Sequence, residues 1–313
     1  MTVKWWVGVA ALVAGVGTVV GTFLSLLSNM SWLLDIVGNF RFQYLWIGAL
    51  TLGALWWTRQ RAAFAAVGIA LLMNLMVVAP YWWSSIAPPA DDTRLTILHL
   101  NTRAANPAKE EVVELVRAAE ADVIFLAEVT PDLLGLLAAA DLPYEQVAGT
   151  PESTRIGIVA LARTSAVSGR LINLGKSEVP GVLLEAPLGN RTIEILGFHT
   201  SSPGEEKRSA DRNDQLAGAA ALVAARERPM ALIGDFNATP WTGAFRELLD
   251  SGLIDGQRGR GVAGSWPAGW GPFQIPIDHL LHTPELTTTS FAFGPSAGSD
   301  HRSLLVAIAL AGT

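Results

Sequence analysis

An α/β fold of mixed sheet, preceded by about three membrane-spanning helices, is what this 313-residue sequence predicts. Three observations carry the prediction. The chain is 50% hydrophobic with a mean hydropathy of +0.35, and the excess is concentrated in its first third. After that third, apolar strand-like runs alternate with helical patterns, yet several strands follow one another directly. A mixed sheet or a two-sheet sandwich fits that order better than a purely parallel sheet. Finally, the apolar runs end again and again in a polar residue, which is where loops graft chemistry onto a rigid scaffold.

The charge divides the chain at about residue 90. Lys4, Arg41, Arg59, Arg61 and Asp35 are the only charged side chains before it. The remainder carries 18 basic and 27 acidic residues, a formal charge of −9, in a stretch long enough for one complete core. An acidic domain is poorly suited to binding a nucleic-acid backbone, whose phosphates need Lys and Arg. Cysteine is absent, which excludes disulfides, thiolate nucleophiles and Cys-ligated metals.

Residues 5–27 form an uncharged apolar run of 23 residues, enough to cross ~30 Å of hydrocarbon as a helix. It is too long, and too closely followed by two more runs, for a cleaved signal peptide to be the better reading. Residues 42–57 and 62–80 are those further runs. Eight of the 11 Trp residues lie in this region, several near run ends as at a membrane interface. Three crossings are expected for residues 1–83, with two and an interfacial middle segment as the fallback. Lys4, Arg59 and Arg61 mark the cytoplasmic side, Arg41 dissenting, so the rest of the chain is expected outside. Residues 84–93, with Pro88 and Pro89, read as a stiff polar linker.

The domain from 94 to 313 opens with a strand at 95–101 ending in Asn101. A helix is expected at 110–119 from the spacing of Val112, Val113, Leu115 and Val116. Residues 122–128 are a buried strand ending in Glu128, and 131–140 a helix with Pro131 in its first turn. A strand at 156–162 precedes a hairpin, 182–186 with 192–199, around Leu188-Gly189-Asn190-Arg191. An Ala-rich helix at 211–226 leads to a strand at 230–233. Short elements follow: a helix at 245–251, then strands at 277–282 and 303–309. No internal repeat is evident.

The strand at 230–233 runs into Gly234-Asp235-Phe236-Asn237, a turn needing glycine's freedom and presenting a carboxylate beside a carboxamide. Such a pair suits a reaction that orients and deprotonates water while stabilising an anion; a turn of Gly, Asp and Asn is also ordinary structure. Asn101, Glu128, His199, Asp278, Asp300 and His301 also sit at strand ends. Oxygen ligands without thiolates favour a hard cation, Mg²⁺ or Mn²⁺, over Zn²⁺.

Leu98-His99-Leu100-Asn101, Phe125-Leu126-Ala127-Glu128-Val129, Gly197-Phe198-His199-Thr200, Gly234-Asp235-Phe236-Asn237, Ile277-Asp278-His279 and Ser299-Asp300-His301 resemble, in order and spacing, the motifs of the endonuclease/exonuclease/phosphatase superfamily. The resemblance runs from about residue 94 to 309. Arg212-Asn213-Asp214-Gln215 and Ser265-Trp266-Pro267 look like further landmarks, and Ala127 departs from the Gln that many members carry there. The resemblance implies a four-layer α/β sandwich, two packed sheets flanked by helices, and divalent-metal hydrolysis of a phosphate ester. It implies that Glu128, with Asn101 close by, holds the metal and that Asp300 lies near it. Asp235 would deprotonate the attacking water and Asn237 would help bind the phosphoryl group. His199 and His301 would stabilise phosphoryl charge, with Asp278 fixing the tautomer of His301.

Other polar residues read more plainly. His99 is expected in the core, without a direct role, and His279 and His282 are left aside. Glu205, Glu206 and Arg208 read as a solvated loop. Arg212 either touches a substrate phosphate or pairs with a nearby carboxylate. Trp241, Trp266 and Trp270 are expected to pack under the rim rather than to stack bases.

The functional expectation is a membrane-anchored phosphoesterase outside the cytoplasmic membrane, acting on a lipid-linked phosphate or pyrophosphate. The alternative is an extracytoplasmic nuclease or nucleotide phosphodiesterase; a non-catalytic membrane scaffold is the remaining one. No obligate protein partner is inferred.

Overall fold

The apolar N-terminal third folds almost entirely as helix in the computed structural model, which describes residues 1–177 and 179–312. Its elements are α1 (Val3–Ser25), α2 (Trp32–Gly38), α3 (Arg41–Thr58), α4 (Arg61–Val78) and the single turn α5 (Pro80–Trp83). α1 and α4 are each long and apolar enough to cross a membrane. Arg59, in the left-handed conformation at φ 64°, closes α3 and turns the chain directly into α4.

Packing among α1, α3 and α4 turns many small and polar residues inward and leaves many large apolar ones exposed. α1 buries Gly8, Ala11, Gly15, Thr18, Gly21, Thr22 and Ser25, while Leu12, Val13, Val16, Val20 and Phe23 are exposed. α3 buries Arg41, Gln43, Gly48, Thr51 and Leu55 and exposes Leu50, Trp56 and Trp57. α4 buries Val67, Ala70, Asn74 and Val78 and exposes Ile69, Leu72 and Met76, and Leu55 and Val67 meet Ala11 in a small apolar cluster. Small residues let the helix backbones approach, and the buried polar groups bond one another. Asn74 Nδ2 donates to Thr22 Oγ1 at 2.7 Å, and Arg41 Nη1 donates to Asn74 Oδ1 at 3.3 Å.

The rest of the chain supplies two sheets. Its elements are β1 (Leu95–Asn101), α6 (Lys109–Ala119), β2 (Val123–Ala127), α7 (Pro131–Ala139), β3 (Glu145–Thr150), β4 (Ile158–Ala162), β5 (Ser168–Asn173) and β6 (Pro180–Leu188). They continue with β7 (Arg191–His199), α8 (Glu206–Ala224), β8 (Met230–Asp235), α9 (Gly243–Asp250), β9 (Ile254–Asp255), β10 (Asp278–His282), β11 (Leu286–Phe293) and β12 (Leu304–Leu310). One sheet has the order β11-β12-β1-β2-β4-β3, the other β5-β6-β7-β8-β10-β9. Each is mixed, with one parallel pair: β1 with β2, and β7 with β8. A parallel pair needs a crossover, and here a helix supplies each one, α6 and α8 respectively.

Ile97, Phe125, Ile195, Ala231, Ile233, Leu280 and Val306 fill the space between the sheets. Each such aliphatic or aromatic side chain contributes roughly 1.5–3 kcal/mol on full burial. Gly197 leaves room there for the Phe125 ring, which a Cβ would overlap. On the outer faces, Val112, Val116 and Leu133 of α6 and α7 cover the first sheet. Leu216, Val223 and Phe245 of α8 and α9 cover the second. The result is the four-layer α/β sandwich implied by the resemblance.

The boundaries differ from expectation in an orderly way. Four strands escape the sequence pattern, β3, β5, β9 and β11, and they are the four sheet edges. An edge strand faces solvent along one side, so its apolar alternation is weak. β5 is mostly exposed, and β11 breaks its alternation with a register shift between Thr288 and Ser290. Residues 84–93 are also less of a free spacer than expected: Ala90 N donates to Leu310 O at 2.9 Å and Thr287 Oγ1 to Ala87 O at 2.6 Å. The linker lies along the sheet.

Candidate active site

Strand parity builds the site. Side chains two apart share a face of a strand. The stripes Ile97–His99–Asn101, Ile195–Gly197–His199, Ala231–Ile233–Asp235 and Asp278–Leu280 each begin in the inter-sheet core or lead into it. At one end of the sandwich those stripes turn from apolar to polar. Register then aligns the ends, with Asp235 paired to His199 on one side and to Asp278 on the other. Gly234 is obligatory: its φ is +153°, and a Cβ would collide with the Phe198 carbonyl.

Asp235 is the centre. Its Oδ2 accepts from Asn101 Nδ2 at 3.0 Å and faces His199 Nε2 at 3.5 Å and His301 Nε2 at 3.6 Å. Its Oδ1 accepts from the Asn237 backbone N–H at 3.0 Å. Burial raises the Asp235 carboxyl above the ordinary range; His301 and His199 oppose the rise and Asp278 adds to it. A carboxylate so raised is a stronger proton acceptor than a solvated one.

Behind Asp235 stands a buried pair. His301 Nδ1 lies 2.8 Å from Asp278 Oδ2. Burial would lower His301, but the charges of Asp278 and Asp235 overcome it and push it up to about 10. Burial would likewise raise Asp278; the charge and hydrogen bond of His301, with a bond from His99, instead hold its carboxyl well below the carboxylate range. Both directions favour imidazolium with carboxylate, and His301 Nε2 then faces Asp235 Oδ2 at 3.6 Å.

His99 is in the core, as expected, and there it also touches this group. Its Nε2 lies 3.0 Å from Asp278 Oδ1 while Nδ1 lies 3.2 Å from Phe125 O. Asp278 is thus clamped between two imidazoles. The available signal was parity: His99 stands two residues before Asn101, on the same face of β1.

Glu128 sits at the mouth with a left-handed backbone, φ 56°, unusual for a residue with a side chain. Its Oε1 receives Asn101 Nδ2 at 3.3 Å and its Oε2 the Ala104 N–H at 2.9 Å. Asn101 Oδ1 accepts from the Arg103 N–H, so in this arrangement its amide nitrogen bridges Glu128 to Asp235. Asn237, also left-handed at φ 46°, donates its Nδ2 to Thr200 O. Asp300 accepts from Trp266 Nε1 at 3.2 Å, beside His301 but without a bond to Glu128.

The donor chemistry fits a hard divalent cation. A carboxylate has about four acceptor positions, and each Glu128 oxygen accepts from one N–H, with His199 Nε2 at 4.0 Å from Oε1 and 12% of the side chain exposed. Asp235, Asp278 and His301 also place one ligand atom each within 4.8 Å of one another. Two of those three groups bind each other, so the trio reads as a proton-handling unit.

Of the two readings of Arg212, the structure realises the carboxylate pairing and not the phosphate contact: the side chain is fully buried and its N–H groups meet protein acceptors. Nη2 meets Asp35 Oδ2 at 2.7 Å, Nη1 donates to Asn237 O at 3.1 Å, and Nε donates to Asn213 Oδ1 at 2.9 Å. Trp241 is buried and donates to Asn39 O, as a packing residue should. Trp270 does not pack under the rim: it is 64% exposed. His279 is buried against Phe236 and Phe245 and bonds Ala238 O; His282 bonds Thr283 O. Both are structural. Glu205, Glu206 and Arg208 are exposed.

A buried proton acceptor, an imidazole donor and a hard-cation ligand gathered at one end of the sandwich mark a metal-dependent phosphoric ester hydrolase. The chain belongs to the Endonuclease/Exonuclease/phosphatase family, whose profile matches residues 97–301, and members of that family depend on divalent metal. Solved structures agree on the fold. A humanized TDP2 of D. rerio aligns with a TM-score of 0.58 at 14% identity, over 69% of this chain and 98% of that one. A mannosyl-6-phosphatase of Bacteroides thetaiotaomicron aligns at 0.53 and 15%, over 69% and 100%. An endonuclease/exonuclease/phosphatase of Beutenbergia cavernae gives 0.52 and 18%, over 70% and 72%. No curated protein sequence matches this chain.

Proposed function

We propose that this protein is a membrane-anchored phosphoesterase whose catalytic domain lies outside the cytoplasmic membrane and hydrolyses a lipid-linked phosphate or pyrophosphate. One observation carries the reading: the N-terminal helical region, through α2, its C-cap Asn39 and the first turn of α3, meets the catalytic domain at loops next to its site. Asp35 holds Arg212, which holds Asn237; Asn39 Oδ1 accepts from Thr239 N; Gln43 Nε2 donates to Pro272 O and Gln274 O. A phosphoester site so placed opens beside the bilayer. The exposed apolar surface of α1, α3 and α4 supports a membrane location, with α1 and α4 the two long and apolar enough to span and α3 taken in this reading as the third crossing.

In this reading Glu128 would hold Mg²⁺ or Mn²⁺, with Asn101 close by and Asp300 near it, and the cation when bound would supply charge neutralisation for the phosphoryl oxygens. Asp235 orients the attacking water and takes its proton. His301, kept cationic by Asp278, donates its Nε2–H toward the phosphoryl group; His199 and Asn237 add donors on the other side.

A nuclease keeps second place. A D. rerio TDP2 with the same fold was crystallised with a single-stranded DNA product, at 14% identity. The charge of −9 after residue 90 disfavours that substrate here. The complete set of site residues disfavours a non-catalytic scaffold.

The test is hydrolysis by the detergent-purified chain with Mg²⁺, an isoprenyl pyrophosphate being compared with single- and double-stranded DNA and Asp235→Asn serving as the blank. Phosphate release from the lipid alone is expected. Cleavage of DNA alone would overturn the substrate and leave the catalytic roles standing.

A further inference from the structure

We infer that the loop 266–274 is a bilayer-contacting loop through which Trp270 and Phe273 enter the lipid interface and set the protein's preference for membrane-borne phosphoesters. The inference rests on the membrane reading above and adds the residues that meet the lipid.

The loop touches both halves of the molecule. At its start, Trp266 Nε1 donates to Asp300 Oδ2 and the Ala268 N–H donates to Asp300 O at 2.7 Å, tying it to the site. At its end, Phe273 packs edge-on against Trp46 of α3 with ring centroids 5.2 Å apart. The Gln43 amide of the same helix bonds two of its carbonyls. Between these ties Gly269 and Gly271 take positive φ, 83° and 53°, with nothing within 4 Å of where a Cβ would stand. The loop therefore projects outward.

Its tip is apolar. Trp270 is 64% exposed and Phe273 50%, whereas Trp241 is buried and Trp266 partly so. In a water-soluble domain two such side chains on one short loop are an unexplained cost. The surface they extend is already apolar: Trp46 touches Phe273, and Trp82 and Trp83 at the same end of the bundle are exposed. Amphipathic Trp rings settle at the headgroup boundary. A lipid surface is thus the occupant that continuity supports, and a headgroup drawn beside the loop would stand next to Asp300.

The chain has no cysteine, so one introduced thiol reports one position. Trp270→Cys, labelled with an environment-sensitive fluorophore, is reconstituted as the full chain in phosphatidylethanolamine–phosphatidylglycerol vesicles containing doxyl-labelled lipid. Leu50→Cys, exposed in mid-α3, is the membrane control; Ser168→Cys on β5, at the opposite sheet edge from β9, is the aqueous one. Quenching of the 270 and 50 labels but not of the 168 label is expected. Quenching at 50 without quenching at 270 overturns the loop inference and leaves membrane anchoring intact. No quenching at 50 overturns the membrane reading and the inference with it.

The second readout is turnover by Trp270→Ala/Phe273→Ala. We expect a loss of roughly tenfold or more on a long-chain isoprenyl pyrophosphate in vesicles, because interfacial binding scales with buried apolar area. Water-soluble geranyl pyrophosphate should be hydrolysed as by the unmodified chain. An equal loss on both overturns the inference in favour of a purely structural loop. Should neither be hydrolysed by the unmodified chain, the substrate reading fails while the quenching still decides the loop.

Discussion

Asp35, in a seven-residue helix between two apolar segments, makes a 2.7 Å ion pair with Arg212, 177 positions away in the catalytic domain. Both side chains are buried, and Arg212 passes the contact on to the carbonyl of Asn237, whose backbone is left-handed. The N-terminal region therefore completes the catalytic domain. Replacing Arg212 by Ala strands the Asp35 carboxylate, at a cost of about 3–5 kcal/mol in stability. We expect a lower Tm and a lower kcat with KM little changed. A selective rise in KM at unchanged Tm would restore a substrate contact to Arg212.

His99 clamps the second oxygen of Asp278. His99→Phe leaves that oxygen a buried acceptor without a partner, a loss of about 1–3 kcal/mol. Activity should fall, and less than in Asp278→Asn, which removes the partner of His301 as well. His99→Gln, able to donate one hydrogen bond, should recover part of the loss; if it matches Phe, the hydrogen bond is not what His99 contributes.

The metal assignment is checked by chelation. EDTA should abolish hydrolysis and Mg²⁺ or Mn²⁺ restore it, with Glu128→Gln shifting half-restoration to higher metal concentration. Activity that survives EDTA would remove the cation from the site.

Three buried groups set the main limbs of the pH dependence of stability, measured as Tm in chelator, with the raised Asp235 opposing Asp278 on the acid side. His301, raised to about 10, stabilises fully below the unfolded value of about 6.5, and that contribution is lost as pH rises through about 10. Asp278, held low, stabilises above about 3.9 and loses its contribution as pH falls. His279 is lowered by burial, so acidification below about 6.5 also costs stability. Stability should peak near neutrality, and His301→Gln should flatten the alkaline limb. An unchanged alkaline slope would place that proton elsewhere.

Topology is open to a fusion experiment. A phosphatase-type reporter joined after residue 90 should be active outside the cell. An inactive but well-expressed fusion would reverse the orientation read from Lys4, Arg59 and Arg61.

The central strands were legible in the sequence because burial on both faces demands unbroken apolar runs, as at Val123–Ala127 and Met230–Asp235. The edge strands β3, β5, β9 and β11 were not, since exposure relaxes that demand. The short helix α2 went unread between two apolar runs, and with it the partner of Arg212.

Local chemistry and period-two burial are encoded residue by residue, so the sequence alone determined the apolar third, the central strands and the polar residues at their ends. What those residues do to one another depends on contacts between distant segments. Only the tertiary structure decided that His99 joins Asp278, that Arg212 turns inward to Asp35, and that Trp270 stays exposed. Each outcome rests on which neighbour the packed chain places within hydrogen-bonding reach, or leaves out of it, and neither spacing nor composition specifies that neighbour.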